Sequence, residues 1–372
     1  MKITIIGGGP RGLVVALYAY IKGLEVTVID KLPIHTWKPP YILSDMIMRS
    51  PLSFDLTTGV EELKEYSLSK FLGYKEQETK TQKQLEEHSI DITRREFSGY
   101  LEYIYNTLAH LLKVKFIYED VISIKSDKVI TESYNVESDY IVIAVGGRYT
   151  KQKIPYWVNQ TKLKEKVVSL VDLIRQPIRE KEIGVIGSGQ RAAETVYDLV
   201  NGGNKIYWCI NKEQRITQYP APSYVDWRNR SALGGYYRGL RSIEKRQEYL
   251  KQVKEWQPSI TEDIAQKLQE HSNSIKIIKP ETTQSIEELN RVERIISFCG
   301  QTPDIGSIPF DFDIKQAIEF EGYPELSKGF KSTSHPNISF TGVMATVFDG
   351  PRQASLVSAA LTAKEIIDTA YG

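Results

Sequence analysis

The chain opens on an apolar strand that runs directly into a glycine turn, Lys2-Ile-Thr-Ile-Ile-Gly7-Gly-Gly9-Pro10-Arg11-Gly12. Few local patterns restrict a fold more. In G-x-G-x-x-G the first glycine permits the tight turn, the second lets the backbone approach a pyrophosphate, and the third lets the helix pack closely on the strand. Leu13 to Ile21 then carry a helical apolar pattern that Gly23 ends. Val26-Thr-Val-Ile29 reads as a second strand, closed by Asp30 and Lys31. An acid at that place can accept a hydrogen bond from a ribose hydroxyl, and the helix start offers free N–H groups to phosphates. The bare glycine pattern arises by chance in roughly one chain in eight of this length. The strand before it, the helix behind it and the acid after it make it a dinucleotide signature.

The same unit restarts in mid-chain. Ile183 to Ile186 lead into Gly187-Ser-Gly189-Gln190-Arg191-Ala192-Ala-Glu194, followed by a helix to Val200, a Gly-Gly turn and a strand over Lys205–Asn211. The end of this second strand is not acidic: it reads Cys209-Ile-Asn211-Lys212, with Arg215 beyond. An acid favours the free 2′-hydroxyl of NAD, whereas cations favour the 2′-phosphate of NADP. Lys212 and Arg215 therefore favour NADPH over NADH at this turn, the rival reading being that they are solvated surface charges. Two such units predict an α/β chain with two Rossmann-like dinucleotide-binding domains, and 372 residues suit two domains. Further strands are expected at 114–118, 121–124, 128–131 and 140–145. A helix is expected around 95–112, and helical structure within 226–272. Later strands are expected at 294–298 and 337–342, and an amphipathic helix at 355–370.

Other chemistry finds little support. The formal charge is +1 and neither a basic face nor an acidic tail stands out in the sequence, which argues against a nucleic-acid or anionic-membrane partner. No apolar run approaches the roughly 20 residues of a membrane-spanning helix. Met1 and Lys2 lead straight into the first strand, so no signal peptide is expected, and a cytoplasmic setting is. Cys209 and Cys299 fit no C-x-x-C spacing, which argues against a dithiol mechanism. The five histidines show no H-x-x-x-H spacing, so no metal site is expected, and no G-x-S-x-G elbow occurs.

Four segments resemble the two-dinucleotide-binding flavoprotein monooxygenases, especially the N-hydroxylating lysine/ornithine branch and its flavin-containing monooxygenase relatives. They are the N-terminal GGGPRG turn; Trp37-Lys-Pro39 with Met48-Arg49-Ser-Pro-Leu-Ser-Phe-Asp55-Leu56; Thr93-Arg94-Arg-Glu96-Phe-Ser-Gly-Tyr100-Leu101; and Gly187 to Glu194, where Arg191 replaces the family's serine. The resemblance implies FAD at the first turn and NADPH at the second. The FAD domain would comprise residues 1–155 and 303–372, with the NADPH domain inserted at 156–302. Hydride would pass from NADPH to flavin N5, and a C4a-(hydro)peroxyflavin formed with O2 would give one oxygen atom to a small molecule's amine or sulfide. Such chemistry belongs to the cofactor, and no catalytic acid or base is named. Trp37 and Arg49 are candidates for the flavin-side wall. Val121, Ala144, Gly146, Gly300 and Gly342 fall on segments that would line or cross between the domains, and Asp349 precedes the last helix near the flavin pyrimidine. Two departures stand out: no histidine occurs in Lys166–Asp172, and no lysine in Ser50–Leu56 to hold an amino-acid carboxylate. The rival readings are an NAD(P)H:acceptor reductase that makes no productive use of O2 and a flavin-binding redox sensor.

Overall fold

The computed structural model describes residues 1–32, 55–73, 92–169, 178–210, 215–217, 236–240, 242, 244–249, 259–318, 320–350, 353 and 356–372. Its first half is organised by a five-stranded parallel sheet with neighbours in the order Ile338–Phe340, Tyr140–Ile143, Lys2–Ile6, Glu25–Ile29, Lys115–Ile117. Ile6 stands opposite both Ile29 and Ile143, so the central strand ends level with its neighbours. A parallel strand covered on both faces must be apolar throughout, and Ile3, Ile5 and Ile6 are all buried. The helix Pro10–Ile21 starts with proline at its first position, where a missing N–H costs nothing. Its Ala16 and Ala19 are buried in one cluster with Ala359, Ala360 and Ala363 of the C-terminal helix Ala359–Tyr371. Small residues on both helices let them lie close.

The second half repeats the plan. Its parallel sheet runs Ile275–Ile278, Lys205–Cys209, Glu182–Ile186, Arg294–Ser297, Val167–Val168. In both sheets the strand that enters the glycine turn lies between the second and fourth strands of its unit, where the winding direction reverses. Open α/β sheets bind ligands at that switch point, outside the carboxyl ends of the strands. The halves meet at a short antiparallel pair, Thr150–Gln152 with Gln301–Pro303. Beside it Gln152 Nε2 donates to the Ser297 carbonyl at 2.6 Å, and Ser297 Oγ to the Lys153 carbonyl at 2.9 Å.

Several elements differ from expectation. The helix expected over 95–112 is an α-helix at Arg94–Asn106 that loosens into a π turn at Thr107–Leu111. Within the stretch read as helical, the described residues 236–239 and 244–249 are helical, Ser259–Thr261 is a strand paired in parallel with Arg215–Thr217, and the helix Glu262–Glu270 follows. The strand Ile275–Ile278 and the helix Thr283–Arg291 were not anticipated. Only Ile278 of that strand is buried, so it lacks the apolar run that marks the other strands. The last helix starts at Ala359, after a single 3-10 turn.

Candidate functional site

The two glycine turns are built on the same bonds. At the first, the Gly7 amide donates to the Ile29 carbonyl at 2.8 Å, and the Ala144 amide to the Ile6 carbonyl at 2.8 Å. At the second, the Gly187 amide donates to the Cys209 carbonyl at 3.0 Å, and Phe298 to Ile186 at 2.6 Å. Gly7 and Gly187 both take positive φ, +108° and +132°. A Cβ on Gly7 would stand 2.4 Å from the Ala144 carbonyl oxygen, and one on Gly12 would stand 1.8 Å from that of Gly7. The first turn therefore accepts no side chain at either place. At the second turn Ala192, wholly buried, takes the third glycine's place.

Gly9 and Gly189 differ from those residues in a way that points to a ligand. Each is the N-cap of its helix in extended backbone with negative φ, and a Cβ on either would meet nothing within 4 Å. Neither helix has a side-chain cap or an acid in its first turn. The helices Arg94–Asn106 and Thr283–Arg291, by contrast, both close their N-termini with capping boxes. The glycine-turn helices thus keep uncapped N–H groups and a positive dipole end beside open space, which suits a phosphate.

The acid after the second strand separates the two sites. Asp30 Oδ2 accepts from the Gly8 amide at 2.6 Å, and Oδ1 from Leu32 at 3.2 Å. A carboxylate offers about four lone-pair sites, so these bonds leave acceptor capacity for a ribose. At the second turn the residue directly after the strand is Ile210, so no carboxylate stands at the matching place. Asn211 and Lys212 lie outside the described residues, and Arg215 is described only as strand backbone. Trp37 and Arg49 likewise lie outside them.

The remaining expected residues fall around these turns. Lys31 forms an exposed pair with Asp120 at 2.7 Å, a contact of little energetic weight. Val121 begins a strand of a small antiparallel sheet beyond the first sheet's edge. Ala144 abuts Gly7, Gly146 follows at positive φ, and Gly300 sits at the crossing, where its carbonyl accepts from Lys153 at 2.9 Å. Gly342 packs over Arg11. The Arg11 side chain turns toward the C-terminal segment, donating to Thr341 Oγ1 at 3.2 Å, Gln353 Oε1 at 3.0 Å and Ser358 Oγ at 3.1 Å. Gln190 exchanges bonds with Thr261: the Thr261 amide donates to its Oε1 at 2.7 Å, and its Nε2 donates to Thr261 Oγ1 at 3.0 Å. Arg191 is exposed. Asp349 is wholly buried and closes a short helix, Thr346–Asp349, at its C-terminal end. Cys209 is buried beside the second turn; burial chiefly, then the Cys299 and Glu281 charges, push its thiol up to about 12.

Residues outside the expected set join the motifs together. Asp55, nearly buried, accepts from the Thr57 amide at 2.9 Å, from Thr57 Oγ1 at 2.7 Å and from Tyr100 at 3.3 Å. Arg94 pairs with Glu194, whose other oxygen accepts from Gln190 at 2.9 Å. Asp55, Tyr100, Arg94 and Glu194 belong to three different segments of the resemblance, so those segments are in physical contact. The T-x-x-E spacing of Thr93 and Glu96 could have flagged the helix start that presents Arg94: the Thr93 amide donates to Glu96 Oε2 at 2.7 Å, and the Glu96 amide to Thr93 Oγ1 at 3.2 Å.

Two matching dinucleotide cradles in one chain, each at the switch point of its own parallel sheet, define a two-dinucleotide α/β protein. The chain belongs to the L-lysine 6-monooxygenase/L-ornithine 5-monooxygenase family, which it matches over residues 1–298. Among solved structures it is similar to the ornithine N-hydroxylase of Kutzneria sp. 744, solved with reduced FAD, NADP+ and L-ornithine. That match has 17% identity and a TM-score of 0.73, covering 99% of this chain and 98% of that one. The FAD-bound cadaverine monooxygenase of Erwinia amylovora matches at 17% identity and TM-score 0.73, covering 100% and 94%. The L-lysine 6-monooxygenase of Pseudomonas syringae matches at 16% and 0.71, covering 99% and 98%. No curated protein sequence matches significantly. Among the described residues no helix is long and apolar enough to cross a membrane, and no cluster of side chains could hold a metal ion.

Proposed function

We propose that the protein is an FAD- and NADPH-dependent N-hydroxylating monooxygenase that acts on a primary amine of a small molecule. The observation that carries this reading is the duplicated cradle within a chain of the lysine/ornithine monooxygenase family. FAD would be held by residues 1–155 with 303–372, and NADPH by residues 156–302. Bound FAD would supply hydride acceptance from NADPH and the activation of O2. The protein's own part is to bind and orient. The Gly9 and Gly189 turns present uncapped amides to the two pyrophosphates, and Asp30 offers its carboxylate to the FAD ribose. At the second turn Ile210, not an acid, directly follows the strand. Lys212 and Arg215 supply the cations for that phosphate. Trp37 and Arg49 are assigned to the flavin side of the substrate chamber.

The test is direct. Purified protein should be yellow, and NADPH should bleach it without oxygen. On admitting air with ornithine, lysine or cadaverine in turn, one of them should yield a hydroxylamine in step with NADPH consumed. Hydrogen peroxide alone with every amine tried would favour the acceptor-reductase reading, and failure to bleach with either nicotinamide would favour the sensor. Replacing Lys212 and Arg215 together by alanine should raise KM for NADPH roughly tenfold while leaving KM for NADH nearly unchanged. Equal effects on both would remove the 2′-phosphate assignment.

A further inference from the structure

Residues 236–249 lie in sequence between the strands Arg215–Thr217 and Ser259–Thr261 of the second half, yet their described part docks on the C-terminal segment of the first. Arg238 Nε donates to Asp349 Oδ1 at 2.6 Å, while its two terminal nitrogens hold both oxygens of Glu365 at 3.2 and 3.0 Å. The guanidinium carbon lies 5.4 Å from the Phe330 ring centre and 5.3 Å from that of Phe348, within cation–π range. Burial opposes this charge, but Glu365 and Asp349 hold it above the ordinary arginine value. The adjoining Tyr237 is fully buried, and a Cβ on Gly350 would come within 2.8 Å of its ring. A buried tyrosine beside a bidentate arginine is the usual make-up of a docking hot spot.

The contact does not end at Asp349. Asp349 Oδ2 accepts from Gln353 Nε2 at 2.9 Å, and Gln353 Oε1 accepts from Arg11 at 3.0 Å. Gln353 Nε2 also donates to Thr362 Oγ1 at 2.7 Å, which fixes the amide's orientation. Asp349 and Gln353 are both buried, so water offers neither a substitute partner. Arg11 stands in the first turn of the helix behind the Gly7–Gly12 cradle. A continuous run of buried polar bonds therefore joins the docked segment to that cradle.

We propose that Arg238 is a positioning residue for the first cradle: by holding Asp349 it sets Gln353 and, through it, Arg11, so that docking of the 236–240 segment and retention of the dinucleotide at Gly7–Gly12 reinforce one another. The inference rests on the assignment of FAD to that cradle. Linkage makes the coupling reciprocal. Without Arg238 the buried Asp349 carboxylate loses the guanidinium that donates to its Oδ1, and it competes for the donors that orient Gln353.

The experiment measures FAD dissociation constants by flavin-fluorescence titration of the full-length apoprotein. The set is wild type, R238K, R238M, D349N and R238M/D349N. R238M should weaken FAD binding roughly tenfold, and R238K less. R238M/D349N should bind FAD more tightly than R238M, because a neutral amide at 349 needs no cation; simple loss of packing gives no such rescue. Should R238M not fold, R238K and D349N still decide the matter, each expected to weaken FAD binding measurably. R238M binding within about twofold of wild type, or no recovery in the double variant, overturns the proposal. A wild-type protein that takes up no FAD overturns the cofactor assignment itself, a different result from a wild type that binds while the variants bind equally well.

Discussion

Gly9→Ala is expected to give a folded protein that retains less flavin, and Gly189→Ala a yellow protein that needs more NADPH to be bleached. Both residues have φ values open to alanine, −72° and −87°, and both face space with nothing within 4 Å. Folding should therefore be unharmed; trading glycine for alanine in a permitted conformation even stabilises by about 0.4–1 kcal/mol. The added methyl instead occupies the room a pyrophosphate oxygen must enter. Overpacking of that kind costs roughly 1–3 kcal/mol, or about fivefold to a hundredfold in affinity. Flavin content after gel filtration and rates of anaerobic bleaching read the two sites separately. If each variant lost the other cofactor, the assignment of the turns would be reversed. Gly12→Ala supplies the contrast, because its Cβ would collide with backbone and the fold itself should fail.

Arg94→Ala should destabilise the protein by about 3 kcal/mol, since removing one partner of a buried pair strands the other charge. The Glu194 side chain is only 3% exposed and that of Arg94 15%. Solvent screening is therefore slight, and the discount that applies to surface pairs does not. Glu194 would keep the Gln190 amide and the more distant charge of Arg191. Adding Glu194→Gln should recover much of the loss, because an amide can stay buried without a cation. Urea unfolding of the two single variants and the double variant gives the coupling energy. A double variant no more stable than Arg94→Ala would mean that Arg94 acts by packing alone.

The cradles were legible in the sequence because the chemistry that makes them is local. Gly7 and Gly12 must be small where backbone carbonyls approach them, and a turn of consecutive residues records both demands. The same holds for Gly187, which Phe298 crowds. The contacts that a local sequence does not announce join chain positions far apart. Nothing near Glu194 announces that its partner is Arg94, nor anything near Arg238 that it reaches Asp349 and Glu365. Arg11 illustrates the limit. Its place in the glycine turn could be read directly, but its side chain is claimed by Thr341, Gln353 and Ser358 at the other end of the chain. The strand Ile275–Ile278 is hard to read for a different reason: at a sheet edge, with Lys276 and Ile277 exposed, it lacks the apolar run that betrays a covered strand.

The fifth strand of the first sheet, Ile338–Phe340, carries a consequence for synthesis on the ribosome. The second sheet is drawn wholly from residues 167–297, so all its strands have left the exit tunnel while the first sheet still lacks an edge. Domains form as their residues emerge. The half made second can therefore be finished first, while the sheet behind the N-terminal turn is completed only when Ile338–Phe340 emerges.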